Sequence, residues 1–131
     1  MDTPQSTENL DNRRVLVVDD NHDAADTLGM MLKYTGYESL CCYNGLQGVE
    51  AAESYKPMAI ILDIGMPDIT GYEACRRIRE QPWGKEPLII ALTGYGSDED
   101  RQKSRDAGFD AHLLKPVDQA ELSALLRSKQ A

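Results

Sequence analysis

Residues 15–21 read VLVVDDN: four apolar residues, Val15 to Val18, run directly into Asp19 and Asp20. An unbroken aliphatic run of this length, rich in β-branched residues, is the pattern of a strand buried on both faces, as in a parallel sheet covered by helices on each side. It ends by setting two like charges side by side at the rim of a core, which needs a physical reason. Taken alone, the pair also reads as a helix N-cap with an acidic neighbour.

The same pattern recurs along the chain. Further candidate strands are Tyr37–Cys42, Ala59–Leu62, Leu88–Leu92 and Ala111–Leu114, separated by stretches of helical period. Alternation of this kind predicts an α/β domain with a mostly parallel sheet of five strands. Helix starts are marked by Asn44 with Gln47, Thr70 with Glu73, Ser97 with Asp100 and Asp118 with Glu121, each placing a capping side chain three residues before a reciprocal one. Ala25, Leu28 and Leu32 form one clear apolar stripe, and Leu122, Leu125 and Leu126 another. SDEDRQKSRDAG, by contrast, shows almost no apolar residue before Ala107, so the fourth helix is expected to be the most weakly docked.

Size and charge narrow the function classes. A chain of 131 residues suits one domain with a real core. Its 14 Lys+Arg against 22 Asp+Glu leave a net charge of −8, which repels nucleic acid and anionic membrane. Cys41, Cys42 and Cys75 are an odd count with no C-x-x-C spacing, and read as reduced, small core residues. Residues 1–12 are polar and read as a flexible N-terminal tail, with the folded domain over 13–131; no signal peptide or bilayer-length apolar run appears, so a soluble cytoplasmic protein is expected.

In open parallel sheets, ligands bind outside the carboxyl ends of the strands. Here those ends carry Asp19 and Asp20, then Asp63, Thr93 and Lys115. Thr93 before Gly94 alone reads as a turn, and Lys115 alone as a solvated lysine; Asp63 is harder to dismiss, because AIILD drives an apolar strand into a carboxylate. Carboxylates a few ångströms apart repel by roughly 4 kcal/mol per pair at an effective dielectric near 20. A divalent cation offsets this, and Mg²⁺, which takes carboxylate oxygens and waters and bridges to phosphate, suits such a site best. A carboxylate there can then act as a nucleophile toward phosphorus, with a lysine and a hydroxyl balancing charge on the transferring oxygens.

The set VLVVDDN, AIILDIGMPDITGYE, LIIALTG and HLLKPV, in this order and spacing, closely resembles the receiver domain of bacterial-type response regulators, over roughly residues 13 to 128. The resemblance implies a flavodoxin-like, doubly wound sheet of order 2-1-3-4-5 with five helices. It implies Asp63 as phosphoacceptor from a histidine kinase or histidine phosphotransfer protein. Asp20 would bind Mg²⁺ directly and Asp19 largely through its water shell, with Asp63 and the Gly65 carbonyl completing the protein's share. Lys115 would pair with the phosphoryl group, directed by a cis Lys115–Pro116 bond, and Thr93 would bond a phosphoryl oxygen. A downstream protein would read the state at helix 4, strand 5 and helix 5. The protein would catalyse only its own Mg²⁺-dependent phosphorylation and dephosphorylation.

His112 stands where the family usually carries a switching aromatic residue; it reads either as a side chain that rotates inward and outward, whose charge would make the change pH-sensitive, or as a partly exposed strand residue. Gly65 and Tyr95 flank the phosphoryl position; a glycine there positions no attacking water and a tyrosine shields the site, so slow loss of phosphate is expected. Rival readings lack key residues. An aspartate-nucleophile phosphohydrolase of the haloacid-dehalogenase kind needs an acid two residues beyond the nucleophile, where Gly65 stands. A calcium loop beginning at Asp19 fails at Ala24 and Met30. No nucleotide-binding glycine motif is present. A receiver reduced to a phosphorylation-independent docking module would not need the full set of Asp19, Asp20, Asp63, Thr93 and Lys115. The chain ends soon after the fifth helix, with LLRSKQA leaving no room for an effector segment, so either a stand-alone regulator or a receiver from a hybrid kinase is expected.

Overall fold

Strands and helices alternate as β1 (Arg14–Val18), α1 (His22–Tyr34), β2 (Glu38–Cys42), α2 (Gly45–Tyr55), β3 (Ala59–Asp63), α3 (Gly71–Arg79), β4 (Leu88–Thr93), α4 (Asp98–Ala107), β5 (Ala111–Leu114) and α5 (Gln119–Gln130). The computed structural model describes residues 12–94 and 96–130, with backbone only for residue 130. Of the tail expected over 1–12, only Asn12 is described: it accepts from the Arg14 amide at 3.0 Å and donates to the Lys56 carbonyl at 3.2 Å. All strand pairs are parallel, in the order β2-β1-β3-β4-β5. This is the flavodoxin-like sheet with five helices that the sequence led us to expect. Among the described residues no helix is long and apolar enough to cross a membrane.

Side chains alternate across the sheet, so each central strand feeds two cores. Val15, Val17, Ile61, Ile90 and Leu92 pack with Leu28 and Leu32 of α1 and Leu122 and Leu126 of α5. Leu16, Val18, Ile60, Leu62 and Ile89 pack on the opposite face with Ala52 of α2, Cys75 and Ile78 of α3 and Ala107 of α4. Double-sided burial explains why the central runs are wholly apolar. All three cysteines are free thiols; Cys42 and Cys75 are buried, Cys41 half-buried, and burial pushes the Cys75 thiol up to about 12.

Strand limits shift by one residue from the sequence reading. β2 starts at Glu38 rather than Tyr37, because the Tyr37 amide bonds the Leu32 carbonyl at 2.9 Å and closes the turn after α1. β1 gains Arg14, β3 gains Asp63 and β4 gains Thr93, since polar side chains at strand ends do not interrupt the backbone ladder. Asn44, Thr70 and Ser97 accept from the amides of Gln47, Glu73 and Asp100 as expected. Asp118 accepts from Ala120 and Glu121. The cap of α1 is Asn21, bonded to the Ala24 amide at 3.0 Å, so Asp19 and Asp20 are not that helix's cap.

α4 buries only Ser104 and Ala107, which fits the weak docking expected from its sequence. Its carboxyl end is nevertheless tied. Arg79 donates to the carbonyls of Gly108 at 2.8 Å, Gly84 at 2.8 Å and Pro87 at 3.0 Å, and to Asp110 at 2.6 Å. Gly108 sits at φ 108°, a left-handed position that suits glycine and ends the helix.

Candidate functional site

Parallel register levels the acids. Val18 pairs with Leu62, so the next residues, Asp19 and Asp63, leave neighbouring strands at the same height. Leu92 pairs with Asp63 and Thr93 with Leu114, which brings the ends of β4 and β5 to that height as well. The Lys115 amide bonds the Thr93 carbonyl at 2.8 Å, fixing the lysine's origin beside β4, and the Lys115–Pro116 bond is cis. Thr93 is half-buried at the end of its strand.

One oxygen each from Asp19, Asp20 and Asp63 lies within 4.8 Å of the others. Asp19 is 1% exposed and Asp63 6%, whereas Asp20 faces solvent. The Lys115 ammonium stands 3.3 Å from Asp63 Oδ1 and 3.6 Å from Asp19 Oδ2. Asp19 Oδ1 accepts from the Asn21 amide at 3.0 Å; its buried Oδ2 has no hydrogen bond, only the longer ion pair to Lys115. Burial, then the Asp63 charge, raise the Asp19 carboxyl above its ordinary range against the Asn21 amide and Lys115. Burial pulls Lys115 down, but Asp63 and Asp19 outweigh it and hold the ammonium above the usual lysine value.

With these carboxylates ionised, three negative charges face one ammonium, so the site carries an excess of two, and one buried carboxylate oxygen lacks a hydrogen bond. Such an all-oxygen donor set fits a hard divalent cation. Gly65 lies in the exposed loop after β3, where an added Cβ would meet nothing within 4 Å. Tyr95 lies outside the described residues.

Several contributors were missed in the sequence. Asp68 accepts from the amides of Gly45 at 3.0 Å and Leu46 at 2.9 Å, which ties the loop bearing Gly65 to the start of α2. Burial would raise its carboxyl, but these amides outweigh that and lower it. Gly71 packs against backbone: a Cβ there would lie 2.5 Å from the Asp63 carbonyl. Tyr43 stacks on His22 with centroids 3.8 Å apart and donates to Asp26 at 2.7 Å, bracing the start of α1. Only GMPD, as a turn, hinted at any of these contacts, because each joins residues distant in sequence or position.

Beside the acids, a mostly apolar cavity of about 470 Å³ runs between α1 and the loop after β5, lined by Thr27, Leu28, Met31, Pro116 and Val117. His112 is half-buried opposite Ala91 and lines a separate cavity of about 210 Å³ beneath α4.

The family model of the response regulator receiver domain matches residues 15–127. The chain is 36% identical over 115 residues to the response regulator MprA of Mycobacterium ulcerans, covering 88% of this chain and 49% of that protein, so it spans about half that relative's length. The structure of the chemotaxis protein CheY4 of Vibrio cholerae superposes with TM-score 0.83 at 30% identity, covering 88% of this chain and 96% of the other. The receiver domain of the sensor histidine kinase PA1611 of Pseudomonas aeruginosa PAO1, with a magnesium ion coordinated in its active site cleft, superposes with TM-score 0.83 at 34% identity, covering 91% and 98%.

Proposed function

The chain belongs to the response regulator receiver domain family, the phosphoacceptor modules of two-component signalling, and we propose that Asp63 is the residue that takes the phosphoryl group. One observation carries this reading: Asp63 ends the central strand β3 with Asp19 and Asp20 within 4.8 Å and the Lys115 ammonium at 3.3 Å. A carboxylate so placed is nearly buried yet kept reachable at the carboxyl edge of the sheet.

A carboxylate oxygen of Asp63 attacks the phosphorus of a phosphohistidine on a histidine kinase or phosphotransfer protein. The P–N bond breaks as the O–P bond forms, and the leaving imidazole takes up a proton. Lys115 loses part of its ion pair with Asp63 in this step and follows the charge onto the phosphoryl oxygens. Thr93, at the end of the adjacent strand, supplies a hydroxyl to one of those oxygens. Asp20, Asp63 and the Gly65 carbonyl would hold Mg²⁺ directly, with Asp19 acting through its water shell. When bound, the ion neutralises the clustered carboxylates and the charge on the transferring oxygens. Catalysis extends to the chain's own phosphorylation and dephosphorylation, with no turnover of a separate substrate. Gly65 and Tyr95 favour slow loss of the phosphoryl group.

The apolar cavity beside Asp19 and Lys115 is suited to the surface of the phosphohistidine donor, which must bring its ring against Asp63. A phosphoryl group adds charge that Thr93 and Lys115 contact in only one loop arrangement, and that difference biases the equilibrium. α4, with few apolar anchors, and β5 with His112, followed by α5, form the face where a downstream protein reads the state. We place the reaction in the cytoplasm, on residues 13–131, without nucleic acid or membrane contact. Intact mass after incubation with a small phosphodonor and Mg²⁺ tests the reading: one phosphoryl adduct is expected, dependent on the metal. No adduct on the folded protein would refute it.

A further inference from the structure

The cavity beneath α4 is chemically unlike the rest of this acidic molecule. It is about 210 Å³ in volume, and Arg101, Ser104, Arg105, Asp110 and His112 line it together with Phe109. Ser104 is 2% exposed and its Oγ has no hydrogen-bond partner. A buried hydroxyl left unpaired by the protein is unfavourable, so an acceptor that reaches it as the exposed arginine side chains over it give way gains that bond.

Positive charge stands at the same place. Arg101 and Arg105 are one helical turn apart and exposed, and neither forms an ion pair among the described residues. Arg101 Nε donates to the Gly96 carbonyl at 3.3 Å and Arg105 Nη2 to Gln102 at 2.8 Å, which leaves most donors of each guanidinium available. Two of the nearby acids, Asp110 and Asp106, already have partners. Asp110 is held by Arg79 at 2.6 Å and by the Ile89 amide at 2.9 Å, and Asp106 accepts from Gln102 at 2.9 Å.

We propose that this cavity binds a single carboxylate side chain presented by a peptide segment of a partner protein. The inference rests on the reading of α4 and β5 as the face for partner contacts, and it adds the chemistry of what is contacted. A net charge of −8 disfavours a polyanion, whereas one carboxylate matches two guanidinium groups and a hydroxyl donor. Apolar surface lies next to Arg101: Leu114, 44% exposed on the edge strand, and the Arg101 guanidinium both border Gly96. Phe109 lines the interior. An acidic residue flanked by apolar neighbours fits this mixture better than a free inorganic anion.

An amide NMR titration of the full chain with acetyl-Leu-Glu-Leu-amide, its Gln counterpart and inorganic phosphate tests this at matched ionic strength. The Glu peptide is expected to shift Arg101, Ser104, Arg105 and His112 saturably, and the Gln peptide and phosphate to bind at least about tenfold more weakly. Ser104→Ala is expected to weaken the Glu peptide about tenfold while leaving the thermal midpoint equal or higher, because the orphan hydroxyl is gone. A purely structural role for Ser104 would lower the midpoint instead. Arg105→Gln separates charge from packing and is expected to weaken the Glu peptide with the fold unchanged. Absence of saturable shifts at these residues, equal affinity for Glu and Gln peptides, or preference for phosphate would overturn the proposal. The titration is repeated on Asp63→Asn, where the same result is expected, so failure of phosphoryl acceptance and failure of this site are read separately.

Discussion

Asparagine at position 63 keeps the size of the side chain but removes one of three clustered negative charges, so without divalent metal Asp63→Asn is expected to unfold at higher urea than the parent. At the 4.8 Å outer limit between the three oxygens, each carboxylate pair repels by about 3.5 kcal/mol at an effective dielectric near 20. Asp63 therefore meets about 7 kcal/mol of repulsion from its two neighbours and, at 3.3 Å, recovers about 5 kcal/mol from Lys115. The balance of about 2 kcal/mol falls to about 1 kcal/mol once solvent screening of Asp20 and the partly exposed Lys115 is included. Urea unfolding at low salt with EDTA measures the difference. Adding Mg²⁺ at a hundredfold excess over its Kd would stabilise the parent by about 2.7 kcal/mol and the variant far less, reversing their order. A variant less stable than the parent in EDTA, or an equal response to Mg²⁺, would refute the electrostatic argument.

Further expectations concern the surroundings of the site. The Lys115 ammonium is favoured by the fold, so its stabilisation is fully present below the unfolded lysine value of about 10.4 and lost as pH rises through the higher folded value. Stability measured from about pH 10 upward is expected to fall more steeply for the parent than for Lys115→Met, with parallel curves at lower pH. Gly71→Ala places a Cβ 2.5 Å from the Asp63 carbonyl and 2.8 Å from Ile64 Cα, so the loop must shift; calorimetry is expected to show a loss of about 2–4 kcal/mol, with weaker Mg²⁺ binding by titration. Arg79→Met strips donors from three carbonyls and Asp110 at the amino ends of β4 and β5, with an expected loss of about 2–4 kcal/mol in urea unfolding and unchanged Mg²⁺ affinity.

Sequence made the central strands readable because both faces of β1, β3 and β4 are buried, leaving Val15–Val18, Ala59–Leu62 and Ile89–Leu92 as uninterrupted apolar runs. The acids stood out for the same reason, since each ends such a run. Strand order was carried by the family resemblance alone. Asp68 on the α2 amides and Arg79 on the Gly108 carbonyl stayed hidden, because those contacts join residues 22 to 29 positions apart in the chain. Asn21 was hidden by its neighbours: two aspartates beside a helix start mask the asparagine that caps it. The polar cavity was also invisible, because it exists only where Arg101 and Ser104 meet His112 on another element.

Reductive trapping tests the assignment of Asp63 most directly. Borohydride converts an aspartyl phosphate to homoserine, and peptide mass mapping of protein treated with phosphodonor and Mg²⁺ then locates it. Homoserine at position 63 and nowhere else is the expected result. Homoserine at Asp19 or Asp20, or an unmodified Asp63 in protein that carries the phosphoryl adduct, would contradict the account.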